Sequence, residues 1–142
     1  MKGSVKSSNW NSAILYASVA AGGMVGSIAR YTVSLLIPSL SAFPLATLFV
    51  NVTGSFIIGF YSTLTGPDGR WFVSTRQRQF VTTGICGGYT TFSAFSLETF
   101  RLLHDGMTGT AFLNVAVSVV TWLVAVWLGH VLASRLNRLK GS

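Results

Sequence analysis

The sequence predicts an all-α membrane protein with four transmembrane helices, and three observations support this fold class. Half of the 142 residues are hydrophobic and only 9% are charged, against roughly 25% in a typical soluble domain. The charges stand near the chain ends and in short connections between long apolar runs. Four of these runs reach the roughly 20 residues that a helix needs to cross a bilayer. We therefore expect one transmembrane domain over residues 1–142.

The charge balance excludes several classes of protein. Ten Lys and Arg residues stand against three Asp and Glu, giving a net charge of +7. A nucleic-acid-binding module would carry this charge in clusters on a polar background, so no nucleic-acid partner is predicted. The single Cys86 excludes a disulfide within the chain and any CxxC site. No catalytic constellation or mid-membrane carboxylate is found, and we expect that the protein is not an enzyme.

The first predicted span covers residues 13–37 and contains one charge, Arg30. It is too long and too rich in glycine for the apolar region of a signal peptide, so we expect it to be retained. Gly22 and Gly26 form a GxxxG pair, and Gly84 and Gly88 form another in the third span. Such pairs let helices approach closely, either within one chain or between subunits.

The second span covers residues 45–64 and carries no charge. Thr47, Asn51 and Ser55 follow one another at four-residue steps and so share a helix face. A buried amide is expensive in an apolar segment unless its hydrogen-bonding groups are used. Asn51 is therefore a candidate functional residue.

The third span covers residues 80–100, with Glu98 near its end. Adjacent glycines followed by two threonines make a poor helix interior, which predicts a break near Gly87–Thr91. Carbonyl groups released by such a break at membrane depth can coordinate cations. Phe92 and Phe95 lie beyond it, three residues apart on one face.

The fourth span covers residues 111–133 and places Asn114, Ser118 and Thr121 in a second uncharged polar stripe. The connections between spans, at 38–44, 65–79 and 101–110, are too short for a soluble domain. Two polar stripes without charge favour a narrow path for a small solute that accepts hydrogen bonds.

Three segments resemble the Fluc (CrcB) family of fluoride channels. Residues 87–98, GGYTTFSAFSLE, resemble the family signature GGxTTFSTFSxE. Residues 47–54, TLFVNVTG, are similar to its TLxVNxxG motif, and residues 22–30, GGMVGSIAR, resemble its GGxxGxxxR pattern. With four spans in about 130 residues, the resemblance covers nearly the whole chain.

The resemblance implies an antiparallel dimer with two fluoride pores and a central structural Na⁺. At the matching positions, Gly87 and Thr90 would coordinate Na⁺ through backbone carbonyls. Asn51 would donate its amide to fluoride, and Phe92 and Phe95 would present ring edges, where the aromatic quadrupole is positive. Uncharged donors of this kind would not hold the ion too tightly for it to leave.

Further residues follow from the same resemblance. Arg30 would supply a positive bias or a structural tether. In the fourth helix, Asn114 and Ser118 match pore-lining polar positions. The next such position, usually Ser, is occupied by Trp122, which would plug or reshape the polar track unless Thr121 replaces it.

The leading hypothesis is a passive, fluoride-selective channel in the cell (inner) membrane that exports cytoplasmic fluoride. One alternative is a small multidrug-type antiporter, which would need a carboxylate in the first helix, where residues 13–37 contain none. The other is a non-conducting structural membrane subunit, in which the polar stripes serve packing.

The distribution of basic residues predicts the orientation. With four spans, eight of the ten Lys and Arg residues fall on the side of the termini, which the positive-inside rule places in the cytoplasm. These eight are Lys2, Lys6, Arg70, Arg76, Arg78, Arg135, Arg138 and Lys140. A dual-topology homodimer would need a bias near zero, so the dimer is either a homodimer that overrides this rule or a heterodimer with a similar subunit.

Overall fold

The computed structural model describes residues 2–37, 42–67 and 69–138, with side chains from residue 11 onward. The regular elements in these ranges are all helices, which confirms the predicted all-α class. They are α1 (Lys2–Leu36), α2 (Leu45–Leu64), α3 (Thr75–Gln79), a π-helical segment (Phe80–Cys86), α4 (Gly87–Tyr89), α5 (Phe92–His104) and α6 (Thr108–Arg138). The side chains of Lys2 and Lys6, and all of Lys140, lie outside the described part of the chain.

Three helical stretches in the described residues are long and apolar enough to cross a membrane, namely Asn11–Leu36, Leu45–Leu64 and Thr108–Arg138. They correspond to the first, second and fourth predicted spans. The helices that contain the first and last stretches are longer than predicted, because α1 begins at Lys2 and α6 continues to Arg138. The predicted third span, 80–100, is divided among the π-helical segment, α4 and α5.

The third helical region changes its backbone geometry several times between Thr75 and Phe92. It starts at a capping box in which the Gln77 backbone N–H donates to Ser74 Oγ and the Ser74 backbone N–H donates to Gln77 Oε1. The first part of the region ends at Tyr89. The next two residues, Thr90 and Thr91, have extended backbone dihedrals, with ψ of 159° and 122°. Thr91 then caps α5, since its Oγ1 accepts the Ala94 N–H at 3.1 Å. The chain therefore restarts its helix at Phe92.

The helices pack in two main pairs, α2 along α6 and α1 along the π-helical segment and α4. Glycines make the second contact possible, because a Cβ on Gly26 would collide with the Ile85 carbonyl and one on Gly88 with the Gly23 carbonyl. Gly22 likewise lies against Gly84. The predicted small-residue pairs thus serve packing within the chain, and their association between subunits stays a prediction.

Candidate functional site

The side chain of Asn51 joins α2 to the extended residue Thr91. Its Nδ2 donates to the Thr91 carbonyl at 2.9 Å, and its Oδ1 accepts the Thr91 N–H at 2.7 Å. The backbone N–H needs an acceptor, so this pairing also fixes which way the amide is turned. Asn51 is only 5% exposed, and its Nδ2 retains a second N–H. The amide therefore stabilises the interruption of the third helical region, which is the extended pair Thr90 and Thr91. It still has one N–H to donate.

Two backbone carbonyl groups at the interruption lose their helical donors to side-chain acceptors. In a continuous helix the Thr91 N–H would donate to the Gly87 carbonyl, and the Ala94 N–H to the Thr90 carbonyl. Here the first N–H is taken by Asn51 Oδ1 and the second by Thr91 Oγ1. Gly87 is exposed, and a Cβ built on it would meet no other described atom within 4 Å. Both predicted Na⁺ ligands thus have a carbonyl that has lost its helical partner.

The chemistry of this donor set fits a small hard cation. Na⁺, like Ca²⁺ and Mg²⁺, is a hard cation suited to oxygen ligands, and backbone carbonyls are among those ligands. The described residues contain no group of three or more His, Cys, Asp or Glu side chains that could hold a metal. A cation at this position would therefore rely on the carbonyls of Gly87 and Thr90.

Arg30 contacts the interruption from α1. Its Nε donates to the Gly88 carbonyl at 3.1 Å, and Ser27 Oγ reaches the same oxygen at 3.4 Å. Of the two roles predicted for Arg30, this geometry favours the structural tether. The guanidinium also brings the one positive charge of the predicted first span to the place where the third region changes direction.

The two predicted pore phenylalanines differ in their surroundings. Phe92 is 72% exposed and Phe95 only 7%, while their ring centroids lie 5.6 Å apart. Phe95 meets the ring of Trp122 in a T-shaped contact, with centroids 5.0 Å apart and planes at 73°. Three aromatic rings from α5 and α6 thus form one continuous cluster.

Two clefts meet at Thr91, which lines both. The first has a volume of about 260 Å³, and its walls include Asn51, Ser55, Gly87, Thr90, Phe92 and Trp122. The second has a volume of about 280 Å³, and its walls include Ser27, Arg30, Tyr31, Thr47 and Glu98. The residues predicted from α1, α2 and the third region are therefore brought together around the interruption.

Glu98 is a site residue that sequence reasoning missed. Thr47 Oγ1 donates to Glu98 Oε1 at 2.7 Å, and the second carboxylate oxygen, Oε2, is buried without a hydrogen-bond partner among the described residues. The sequence placed this carboxylate near a span end and gave it no role. The available signal was its position as the single acid in any of the four predicted spans.

The predicted polar stripe of the fourth helix lies elsewhere. Asn114 and Ser118 are buried, with Asn114 Nδ2 donating to Thr99 Oγ1 at 2.9 Å and Ser118 Oγ reaching Asn114 Oδ1 at 3.4 Å. Neither lines either cleft. Thr121 donates to the Val117 carbonyl of its own helix at 2.6 Å, so Trp122, and not Thr121, is the α6 residue that lines the first cleft.

Comparison with known proteins identifies close relatives. Residues 17–130 match the family described as CrcB-like protein, Camphor Resistance (CrcB). The chain is 65% identical over 133 residues to the fluoride-specific ion channel FluC 1 of Bradyrhizobium diazoefficiens, covering 94% of each protein. It is 64% identical over 132 residues to FluC 1 of Rhodopseudomonas palustris, covering 92% of this chain and 94% of that protein. It is 55% identical over 130 residues to FluC of Opitutus terrae, covering 90% and 98%.

Proposed function

The chain belongs to the CrcB family, and from this premise we infer that it is a fluoride-specific ion channel that crosses the membrane several times. The observation that carries this conclusion is the identity of 65% to a fluoride-specific channel over 94% of both proteins. The first cleft supplies a physical basis for it, because its walls bring together the Asn51 amide and the aromatic residues Phe92 and Trp122. A channel family is not an enzyme class, in keeping with the absence of a catalytic constellation from the sequence.

Fluoride would cross by exchanging its hydration shell for weak, uncharged donors. Asn51, which keeps a second N–H, lines the first cleft together with Phe92. Aromatic edges carry partial positive charge, and the two Phe rings extend this favourable surface along α5. Conduction requires that the ion be held well enough to enter and weakly enough to leave, and Asn51, Phe92 and Phe95 would meet this requirement with dipoles in place of full charges.

The direction of transport would follow from the electrochemical gradient. Hydrogen fluoride crosses the cell (inner) membrane as a neutral weak acid and dissociates in the cytoplasm. The membrane potential, worth about 2.3 kcal/mol per charge at 100 mV, then drives the anion outward through an open path. Residues 13–37 contain no carboxylate that could couple this flow to protons, so we propose passive export.

A structural Na⁺ and an antiparallel partner are part of the same proposal. The carbonyls of Gly87 and Thr90, from which helical donors are diverted, support the cation site. Two chains facing each other at the exposed Gly87 would supply four oxygens to one ion. The ion would neutralise the negative ends of these carbonyl dipoles and hold the two interruptions together, while the residues of each chain line the ion path.

Fluoride flux from proteoliposomes tests this function. The purified protein, reconstituted with any subunit that co-purifies with it, is loaded with potassium fluoride, and efflux is started with valinomycin and followed with a fluoride electrode. We expect fast fluoride efflux and no measurable chloride efflux under the same gradient. Equal rates for the two ions would contradict the assignment, and protein-free liposomes provide the baseline.

A further inference from the structure

Trp122 has a polar group that the structure leaves unused. It lies in the middle of α6, lines the first cleft with Asn51 and Phe92, and packs its ring against Phe95. Its indole Nε1–H is buried and has no acceptor among the described residues. Among the described buried side-chain N and O atoms, the only other unpartnered one is Glu98 Oε2, an acceptor on the wall of the other cleft.

Packing alone does not explain this indole. A buried donor without a partner is destabilising, and native proteins leave few such groups. A phenylalanine or leucine could fill space beside Phe95 without that cost. The indole N–H only donates and never accepts, so its natural partner is an acceptor that is absent from the chain itself. Trp122 shares the lining of the first cleft with Asn51, whose amide has a second N–H beyond its bond to Thr91.

We propose that the Trp122 indole N–H is a fluoride donor in the ion path, and that Trp122 contributes to selectivity instead of plugging the pore. This inference rests on the proposed channel function. Fluoride is the smallest halide and the strongest hydrogen-bond acceptor among them, so an added N–H favours it over chloride. The group is uncharged and carries no lone pair that would repel an anion, and the T-shaped contact with Phe95 holds the ring in place.

The test compares Trp122→Phe with Trp127→Phe. The first substitution keeps an aromatic ring beside Phe95 and removes the N–H. The second removes an indole from the same helix, where Trp127 is 60% exposed and lines neither cleft. Fluoride efflux is measured over a range of fluoride concentrations, alongside the wild-type channel. A hydrogen bond to an ion is worth about 1.5–3 kcal/mol, so we expect the half-saturating fluoride concentration of Trp122→Phe to rise at least about tenfold, with Trp127→Phe unchanged.

Two outcomes would overturn the inference while leaving the channel function intact. One is a well-assembled Trp122→Phe channel with wild-type concentration dependence, and the other is a faster one, which would mean that the indole obstructs the pore. Failure of the wild-type protein, reconstituted with any subunit that co-purifies with it, to pass fluoride would instead defeat the channel function, and this inference with it.

A second measurement applies if Trp122→Phe does not assemble. Benzothienylalanine at position 122 keeps the shape of the indole and replaces its N–H with sulfur. A higher half-saturating fluoride concentration in this variant would support the donor role, and a wild-type value would refute it.

Discussion

Asn51 performs two tasks with one side chain. Its oxygen and one N–H pair with both backbone groups of Thr91, which would otherwise lie unpaired at the interruption. The side chain also lines the first cleft. The cost of burying an amide predicted that Asn51 has partners, but the sequence could not identify Thr91, because that pairing depends on how α2 packs against the third region. The same limit applies to Trp122, whose contact with Phe95 exists only in the folded chain.

Asn51→Asp should abolish most fluoride conduction. The carboxylate can still accept the Thr91 N–H, but it loses both donors and places negative charge beside the Thr91 carbonyl and the ion path. Losing a hydrogen bond to an ion costs about 1.5–3 kcal/mol, and repulsion adds to this, so we expect at least a tenfold loss of fluoride efflux in proteoliposomes.

The chain contains a matched control for this substitution in Asn137. Its Oδ1 accepts the Arg70 N–H at 2.9 Å and its Nδ2 donates to the Thr63 carbonyl at 3.1 Å, so it is also a backbone clamp, but it lines neither of the two clefts. Asn137→Asp should lower stability and leave efflux per assembled channel near wild type. Normal efflux from Asn51→Asp would remove Asn51 from the ion path.

At the scale of elements, the structure shows which residues of the third helical region are extended and which stay helical. The sequence attributed the poor helix to the paired glycines and the two threonines together. The extended residues are Thr90 and Thr91, whereas Gly87 and Gly88 lie in the helical α4. Gly88 serves close packing, since a Cβ there would strike the Gly23 carbonyl. Threonine, being β-branched, accepts extended dihedrals readily. The π-helical segment was not predicted at all, because its hydrogen-bond register leaves no signature in hydropathy.

Gly26→Ala should destabilise the contact between α1 and the third region. The added methyl group would collide with the backbone of Ile85 and Tyr89, which cannot move aside like a flexible side chain. Overpacking of this kind costs about 1–3 kcal/mol. Gly23→Ala is the control, because a Cβ on Gly23 meets nothing within 4 Å, and alanine is the better helix former by about 1 kcal/mol.

Thermal unfolding of the two variants in detergent measures this difference. We expect a lower Tm for Gly26→Ala and an unchanged or higher Tm for Gly23→Ala. Equal Tm values would show that α1 does not depend on this close approach.

At the scale of the whole molecule, composition and hydropathy predicted the fold class. Composition indicated a helical membrane protein, and three of the four predicted spans are found as long apolar helices. Asn114 and Ser118 show the limit, since their spacing predicted a shared face but not that this face pairs with Thr99 and avoids both clefts. Helical periodicity fixes which residues point together, whereas the neighbour they meet is decided by tertiary packing.

Charge also bears on how two such chains could form an antiparallel dimer. If the chain crosses the membrane at the four predicted spans, eight of its ten basic residues lie on the side of the termini, and Arg30 and Arg101 belong to the other side. Under the positive-inside rule, this bias predicts that both termini are cytoplasmic. A chain with one fixed orientation cannot supply its own inverted partner, so the bias favours a heterodimer with a similar subunit of opposite charge distribution.

Cysteine accessibility in intact cells tests this orientation. The native Cys86 is buried, so the background is low, and cysteine is introduced either at Ser4 in the N-terminal segment or at Met107 between α5 and α6. We expect an impermeant maleimide to label Met107→Cys and to leave Ser4→Cys unlabelled until the cells are permeabilised. A homodimer that overrides the charge rule would instead give substantial labelling at both positions, because half of the chains would face each way. In that case this chain alone should also conduct fluoride, whereas a fixed orientation requires a second subunit before any flux appears.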